Sequence, residues 1–397
     1  MAEEHQLVKA TQGVTCHCWN GDRSMIAICP NNNEIHIYET TTWTRKFLLS
    51  EHDLLVTSID WSVVTNKIVS CSHDRNAFVW TFEEETSTWK PALVILRIDR
   101  GALDVKWSAD GLRFAVASGA KCVPVCTYEH DNDWWVCKMV KKKFKSTVLC
   151  CAFHPTNGQL LATGCADFKC RVYSTFATDV DGANVDPGPF ANSTGPLEFG
   201  EVYAEMSSFG WIHAVAWSPS GNVLAYAGHD STLHFADLTT AKSDTELVVQ
   251  TVRLQQLPLC SLLFLSETAL VGAGHDFNPA VFTTSANAGW SYFCHVDKES
   301  SKTAGGGAAG AAGSSSVSAA RELFRNKTVR GQDIKSDADT LKTRHERAIT
   351  LIQNATAPAK TTTTTGTCST ISTSSLDGKL ILWNLPSLEM DMASMGI

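Results

Sequence analysis

Seven times along this chain a tight turn carrying Asp, Asn or Ala is followed, six positions on, by an aromatic or small residue that ends a strand-like run. The register reads Asn32 to Tyr38, Asp74 to Trp80, Ala120 to Cys126, Asp167 to Tyr173, Asp230 to Ala236, Asp276 to Phe282 and Asp377 to Trp383. Successive turns lie 42, 46, 47, 63, 46 and 101 residues apart. Four of these steps fit the roughly 40–45-residue period of four-stranded propeller blades. That period constrains the fold before any local motif is considered.

A second marker keeps the same phase. A bulky residue closes an alternating apolar run 12 to 14 residues before each of the first six turns: Trp19, Trp61, Trp107, Phe153, Trp217 and Phe264. Runs such as Val56–Trp61 and Ile212–Trp217 are rich in β-branched and small residues and lack helical spacing, so they read as buried inner strands. Ser108-Ala-Asp-Gly111 and Ser218-Pro-Ser-Gly221 supply hairpin turns between the markers. One such sheet cannot bury both of its faces, so neighbours must stack. The expected fold is all-β: a single seven-bladed WD40 β-propeller over residues 1–397, with a flexible insert carrying a short helix before the last blade.

Composition agrees. Charged residues make up only 19% of the chain, below the usual quarter, as expected where much surface lies between stacked sheets. The net charge of −8 argues against a general nucleic-acid binder. No run reaches 18 apolar residues, so no membrane span is expected. The acidic start Met-Ala-Glu-Glu-His-Gln lacks the apolar stretch of a secretory leader. The 14 cysteines are scattered through strand runs without a Cys-x-x-Cys pair, and read as small apolar residues rather than disulfides or metal ligands. The sequons at Asn192, Asn326 and Asn354 read as chance matches.

The chain divides as follows. Residues 5–11 precede the first inner strand and are expected to close the last blade as its outer strand, which removes exposed sheet edges. Blades one to six occupy 14–283. Thr178–Gly200, rich in Gly, Pro and Asp, reads as a surface loop. Residues 296–347 form the insert and 348–386 the last blade. Within the insert, Ala304–Ser316 is almost entirely Gly, Ala and Ser, a tether, and helix formers follow over 317–327. Val317, Ala320 and Phe324 recur at helical spacing with Leu323 beside them, giving one apolar stripe. So short a helix is marginal alone and needs something to fold against. It can return to its own ring or enter a partner's groove. The excess of Lys and Arg, eight against five Asp and Glu across Val317–Arg347, favours the partner.

Motifs for chemistry are sparse. The His-Asp pairs at His73, His229 and His275 fall on blade turns, where an Asp capping backbone N–H groups is what the fold needs. His52, Ser72, Asp74 and Trp80 occupy the positions of the hydrogen-bonded tetrad of such blades. Ser72-His73-Asp74 cannot act as a triad, because neighbours on a strand point to opposite faces. The Gly305–Gly310 run matches a dinucleotide fingerprint only formally, with no preceding strand and no acidic residue at the required distance. No catalytic, metal or cofactor site is expected. Lys138–Lys145, including Lys141, Lys142 and Lys143, is the one dense basic patch, next in sequence to Trp134 and Trp135. It is either a solvated loop or a landing place for an acidic partner segment, with the tryptophans as anchors.

Longer runs are more specific than the blade pattern. Ala27-Ile-Cys-Pro-Asn-Asn-Asn33, Glu34-Ile-His-Ile-Tyr38, Trp89–Ile98, Asn132-Asp-Trp-Trp-Val-Cys-Lys138, Asp167-Phe-Lys-Cys-Arg171 and Gly274-His-Asp-Phe277 resemble the WD-repeat subunit family (subunit 1) of the actin-related protein 2/3 complex. The resemblance runs from about Val14 to Leu385 and is weakest in the two long loops. It implies a non-enzymatic scaffold in a stable assembly that nucleates branched actin filaments. The implied partners are the actin-related proteins, the other subunits, the actin filament and nucleation-promoting factors, in the cytoplasm and actin cytoskeleton. It also implies that the insert helix, through Val317, Ala320, Arg321, Leu323, Phe324 and Arg325, contacts the mother filament or the activator. This chain departs from the family pattern in its Gly/Ala-rich arm and its long 178–200 loop. The competing reading from residues alone is a general WD40 adapter, such as a substrate receptor in ubiquitin ligation or signalling.

Overall fold

The computed structural model describes residues 2–183, 185–190, 198–240, 247–285, 288–297, 343–356 and 368–385. They form seven four-stranded antiparallel sheets. Blade one opens with Cys16–Trp19, blade two with Val56–Trp61, blade three with Ala102–Trp107 and blade four with Val148–Phe153. Ile212–Trp217, Leu259–Ser266 and Ile349–Asn354 open blades five, six and seven. These inner strands line a central cavity of about 270 Å3 to which every blade contributes.

The core is divided between neighbours. Each apolar cluster joins two successive blades: Val69 and Val79 of blade two meet Val105 and Phe114 of blade three, and Leu160 and Val172 of blade four meet Trp217 and Tyr226 of blade five. The same pairing continues around to Leu380 of blade seven against Trp19 and Ile26 of blade one. Second strands such as Ile68–Ser72 and Leu160–Cys165 are covered on both faces and buried throughout. Outer strands such as Trp134–Val140 alternate exposed and half-buried positions, because only one face has a neighbour to cover it.

The recurring Asp has a mechanical explanation. The residue after it adopts a left-handed backbone in most blades, for example Arg75 (φ 72°), Phe168 (φ 67°) and Phe277 (φ 64°), which a non-glycine residue resists. The carboxylate compensates by accepting the next backbone N–H: Asn76 onto Asp74 at 2.9 Å and Lys379 onto Asp377 at 2.8 Å. Its second oxygen accepts from the loop that leads into the same blade, as with Asp53 onto Asp74 (3.2 Å), Lys145 onto Asp167 (3.1 Å) and Glu346 onto Asp377 (3.0 Å). One side chain thus fixes two segments.

In blade two, His52 Nδ1 meets Asp74 at 2.7 Å, and His52 Nε2 and Trp80 Nε1 both reach Ser70 Oγ, at 2.8 and 2.9 Å. The tetrad serine is therefore Ser70 and not Ser72. Both share one face of the strand, but Ser72 lies a step nearer the turn, where it donates to Leu54 O and accepts from Asp74 N. Blade seven repeats the network with His345, Asp377, Thr373 and Trp383.

Three boundaries differ from expectation. The strand that closes blade seven is Ala2–Gln6, paired with Lys379–Asn384, and only His5 and Gln6 of the expected 5–11 belong to it. Beyond Gln6 the chain turns, with Val8 buried and Gln6 Nε2 donating to Val8 O at 2.7 Å. Blade six extends past 283 to an outer strand, Gly289–His295. The 178–200 segment is partly tied down. A short helix, Thr178–Asp181, is held by an ion pair from Asp181 to the fully buried Arg113, and Phe190 is buried in cluster with blades four and five. The expected helix over 317–327, with Val317, Ala320, Arg321, Leu323, Phe324 and Arg325, lies outside the described residues.

Candidate partner-binding surface

The ring has two faces. Turns between second and third strands and the loops leading into inner strands share one, here the proximal face, since the turn Asp residues bond both. Turns between inner and second strands, and between third and outer strands, make the distal face.

This division separates residues that are neighbours in sequence. Trp134 begins the outer strand of blade three at its distal end, and Lys141–Lys143 follow its proximal end. A seven-residue strand spans about 20 Å, so the tryptophans and lysines do not form one patch. Nor do the tryptophans act together. Trp134 is 59% exposed and donates its indole N–H to Glu129 at 2.9 Å. Trp135 points to the opposite face and sits among Trp107, Phe114 and Tyr128, with centroids 5.1 to 5.7 Å away. Trp135 belongs to the blade two–three core, as the alternation of a strand requires.

Lys141, Lys142 and Lys143 are exposed on the proximal loop into blade four. Lys142 pairs with Glu201, and its carbonyl accepts the Tyr173 hydroxyl at 2.7 Å. Phe144 anchors the loop against Tyr173 at 5.1 Å. Arg75, Arg97, Arg100, Lys121 and Lys145 are exposed on the same face of blades two to four, where Glu51, Asp53 and Asp99 are the exposed carboxylates on the loops into blades two and three. The turn carboxylates Asp74 and Asp167 are already engaged. A basic arc therefore lies on an acidic protein.

An apolar arc continues it over blades four to six. Phe168 sits on a turn, Phe209 (83% exposed) and Trp211 (50%) on the loop into blade five, and Leu257 on the loop into blade six. The His229 ring stacks on Trp211 with centroids 5.6 Å apart and meets His213 Nε2 through Nδ1 at 2.9 Å. Burial, and then the neighbouring His229 and His275, push the His213 pKa down, so His213 stays neutral at neutral pH. Large apolar side chains exposed together on one face mark interaction sites more often than scattered ones do. Sequence reading missed them because the three loops that carry them are far apart in sequence. The available signal was an aromatic where turn chemistry favours small or polar residues, as in Asp167-Phe168 and Phe209-Gly-Trp211.

The central cavity carries Asp104 and Lys106, 3.7 Å apart. Asp104 also accepts from Ser58 of blade two at 2.8 Å and from Cys151 N of blade four at 3.1 Å. Its oxygens are occupied in joining three blades. Among the described residues no helix is long and apolar enough to cross a membrane.

Comparison with known proteins gives a consistent picture. The family model described as WD domain, G-beta repeat matches residues 43–81, 135–174 and 202–237. Each match takes in an outer strand and runs on through three strands of the next blade, so the sequence repeat is offset by one strand from the blade. Actin-related protein 2/3 complex subunit 1A-B of Xenopus laevis is 39% identical over 390 residues, 97% of each chain. Subunit 1B of Arabidopsis thaliana is 38% identical over 387 residues, 96% of this chain and 97% of the relative. Subunit 1 of Schizosaccharomyces pombe is 38% identical over 378 residues, 93% and 96% of the two chains.

Proposed function

The chain belongs to the actin-related protein 2/3 complex subunit 1 family, and from that premise we propose that it acts as a non-catalytic scaffold and regulatory subunit of that complex. In this reading it supports nucleation of branched actin filaments in the cytoplasm. The observation that carries the reading is the two-part proximal face, an apolar arc beside a basic one on a ring whose strands are fixed from blade to blade. The apolar arc of Phe168, Phe209, Trp211 and Leu257 suits permanent burial against another subunit, where aromatic anchors dominate the energetics. The basic arc, with Lys141, Lys142 and Lys143, suits an acidic segment such as a nucleation-promoting factor presents, and sets its association rate more than its affinity.

The insert is assigned a third contact. Val317, Ala320, Leu323 and Phe324 would seat on the mother filament or the activator, with Arg321 and Arg325 flanking them. Each contact has its own readout in reconstituted complex. Phe209→Ala with Trp211→Ala is expected to reduce co-elution of this chain with the other subunits. Reversing Lys141, Lys142 and Lys143 to Glu should preserve co-elution and lower the activator-stimulated rate of actin polymerisation. Leu323→Ala with Phe324→Ala should reduce branch density at unchanged melting temperature. Full assembly and full activity in all three variants would sink the reading.

A further inference from the structure

The rim between blades two and three carries a groove remote from the basic arc. Two adjoining hollows of about 330 and 320 Å3 share Lys67, Tyr128, His130 and Trp135 as a common wall. One opens toward Leu93 and Trp134 on the outer strands, the other toward Leu112 and Val180 at the distal face. The wall is aromatic, with Tyr128 5.4 Å from Trp135 and 5.0 Å from His130. Leu93, Leu112 and Trp134 in its lining are all exposed.

The charge around this groove is opposite to that of the proximal face. Asp133 and Asp179 line it, and Glu84, Glu85, Glu129 and Asp131 are exposed on the strand ends and turns beside it. Glu129 is held below the usual carboxylate range by the Trp134 indole and then by Asn132, so it is ionised at neutral pH. Against these carboxylates the groove itself offers the ammonium of Lys67, which lies 5.6 Å from the Tyr128 ring centroid. Glu83 is already paired with Lys90.

We propose that this groove docks a basic, amphipathic segment of a partner protein. Its aliphatic or aromatic side chains would sit on Leu93, Trp134 and the Tyr128–Trp135 wall, and its arginines or lysines would reach the carboxylates of the blade two and three turns. Charge complementarity selects the occupant: an acidic segment is repelled here and attracted to the arc at the other end of the same strands. This goes beyond the scaffold reading and does not depend on it, since the groove and the apolar arc lie on different parts of the ring.

The test uses the purified full chain and two fluorescent 18-residue helical peptides. Both carry the same Leu/Phe face, and their polar faces are Arg in one and Glu in the other. The Arg peptide is expected to bind with saturation in anisotropy titrations, at least 30-fold more tightly than the Glu peptide, and to weaken as salt is raised. Trp134→Ser and the double reversal Asp131→Lys with Asp133→Lys should each weaken it at least 10-fold, while Lys141→Glu leaves it unchanged. Both altered sites are at the surface, and a melting curve verifies the fold of each variant. Equal binding of the two peptides, no binding of the Arg peptide with the chain in 100-fold excess over it, or an isotherm indifferent to Trp134→Ser would each overturn the proposal.

Discussion

Blades two and five begin from the same repeat and reach different interiors. In blade two, Asp74, His52, Ser70 and Trp80 form one connected network around a buried hydroxyl. Blade five has Ala236 where blade two has Trp80, and its histidine lies on the third strand instead of the incoming loop. His234 Nε2 meets Thr232 Oγ1 at 2.9 Å and Ser208 Oγ at 3.2 Å, its Nδ1 meets Thr251 at 2.8 Å, and its ring stacks on Tyr226 at 4.5 Å. Asp230 reaches this network only through Thr232 and a long contact to Ser208. The repeat thus specifies where a polar knot must sit and leaves its composition free. Blade two ties it with a carboxylate, blade five with a neutral imidazole.

The largest effect that would expose this contrast comes from Trp80→Ala. It removes an almost fully buried ring and should cost about 3–5 kcal/mol, read as a shift in urea midpoint at unchanged slope. Next is Asp74→Ala, which strips His52, Asn76 N and Asp53 N of their acceptor. A buried partner left without its acceptor costs about 3 kcal/mol, and Asp230→Ala, on an exposed turn with fewer bonds, should cost clearly less. Equal losses in the two blades would erase the distinction.

A finer comparison lies within blade two. Ser70→Ala orphans both the imidazole and the indole and should cost about 2 kcal/mol, while Ser72→Ala should cost about 1 kcal/mol. The reverse order would restore Ser72 to the network.

The smallest and most local effect is in pH. Burial lowers the His234 pKa, with Asp230 opposing it. The unfolded chain therefore binds a proton before the folded one does. Stability falls as pH drops below about 6.5, by at most about 1.4 kcal/mol per pH unit for one such group. His17 adds to the same window. It joins blade one to Ser372 and Ser374 of blade seven at 2.8 and 2.9 Å, and burial, then Lys106, lowers its pKa to about 3. The Asp74 carboxyl behaves oppositely. Burial raises its pKa, but His52 and the Asn76 N–H outweigh that and hold it below the usual value, so its contribution persists until pH falls into the carboxylate range. Amide exchange at pH 5.5 should accordingly rise first in blade five and at the blade one–seven seam, with blade two still protected. Loss of protection in blade two first would contradict this assignment.

Blade number and phase were readable in the sequence because the turn Asp is a local device whose spacing survives in one dimension. Ser70 was not separable from Ser72 by that means. Positions two apart on a strand share a face, and only the distance to His52 and Trp80 distinguishes them. Trp134 and Trp135 erred in another way, since adjacency in sequence is opposition on a strand. The apolar arc was invisible because Phe168, the Phe209–Trp211 loop and Leu257 come from separate blades, and nothing short of the closed ring brings them together. The long resemblance did recover the family, because its runs combine strand and turn residues that the blade pattern alone does not fix.

The strand Ala2–Gln6 is translated before any of its three partners in the seventh blade, and some 340 residues before the nearest of them. During synthesis the wheel consequently stands open like an unfastened bracelet, with one flank of blade one bare and the clasp hanging free. The contacts of His17 with Ser372 and Ser374 form only at the last step. A fusion that crowds Ala2–Gln6 would therefore act late, after six blades have stacked, and would leave a nearly complete ring prone to fasten onto a second copy instead of itself.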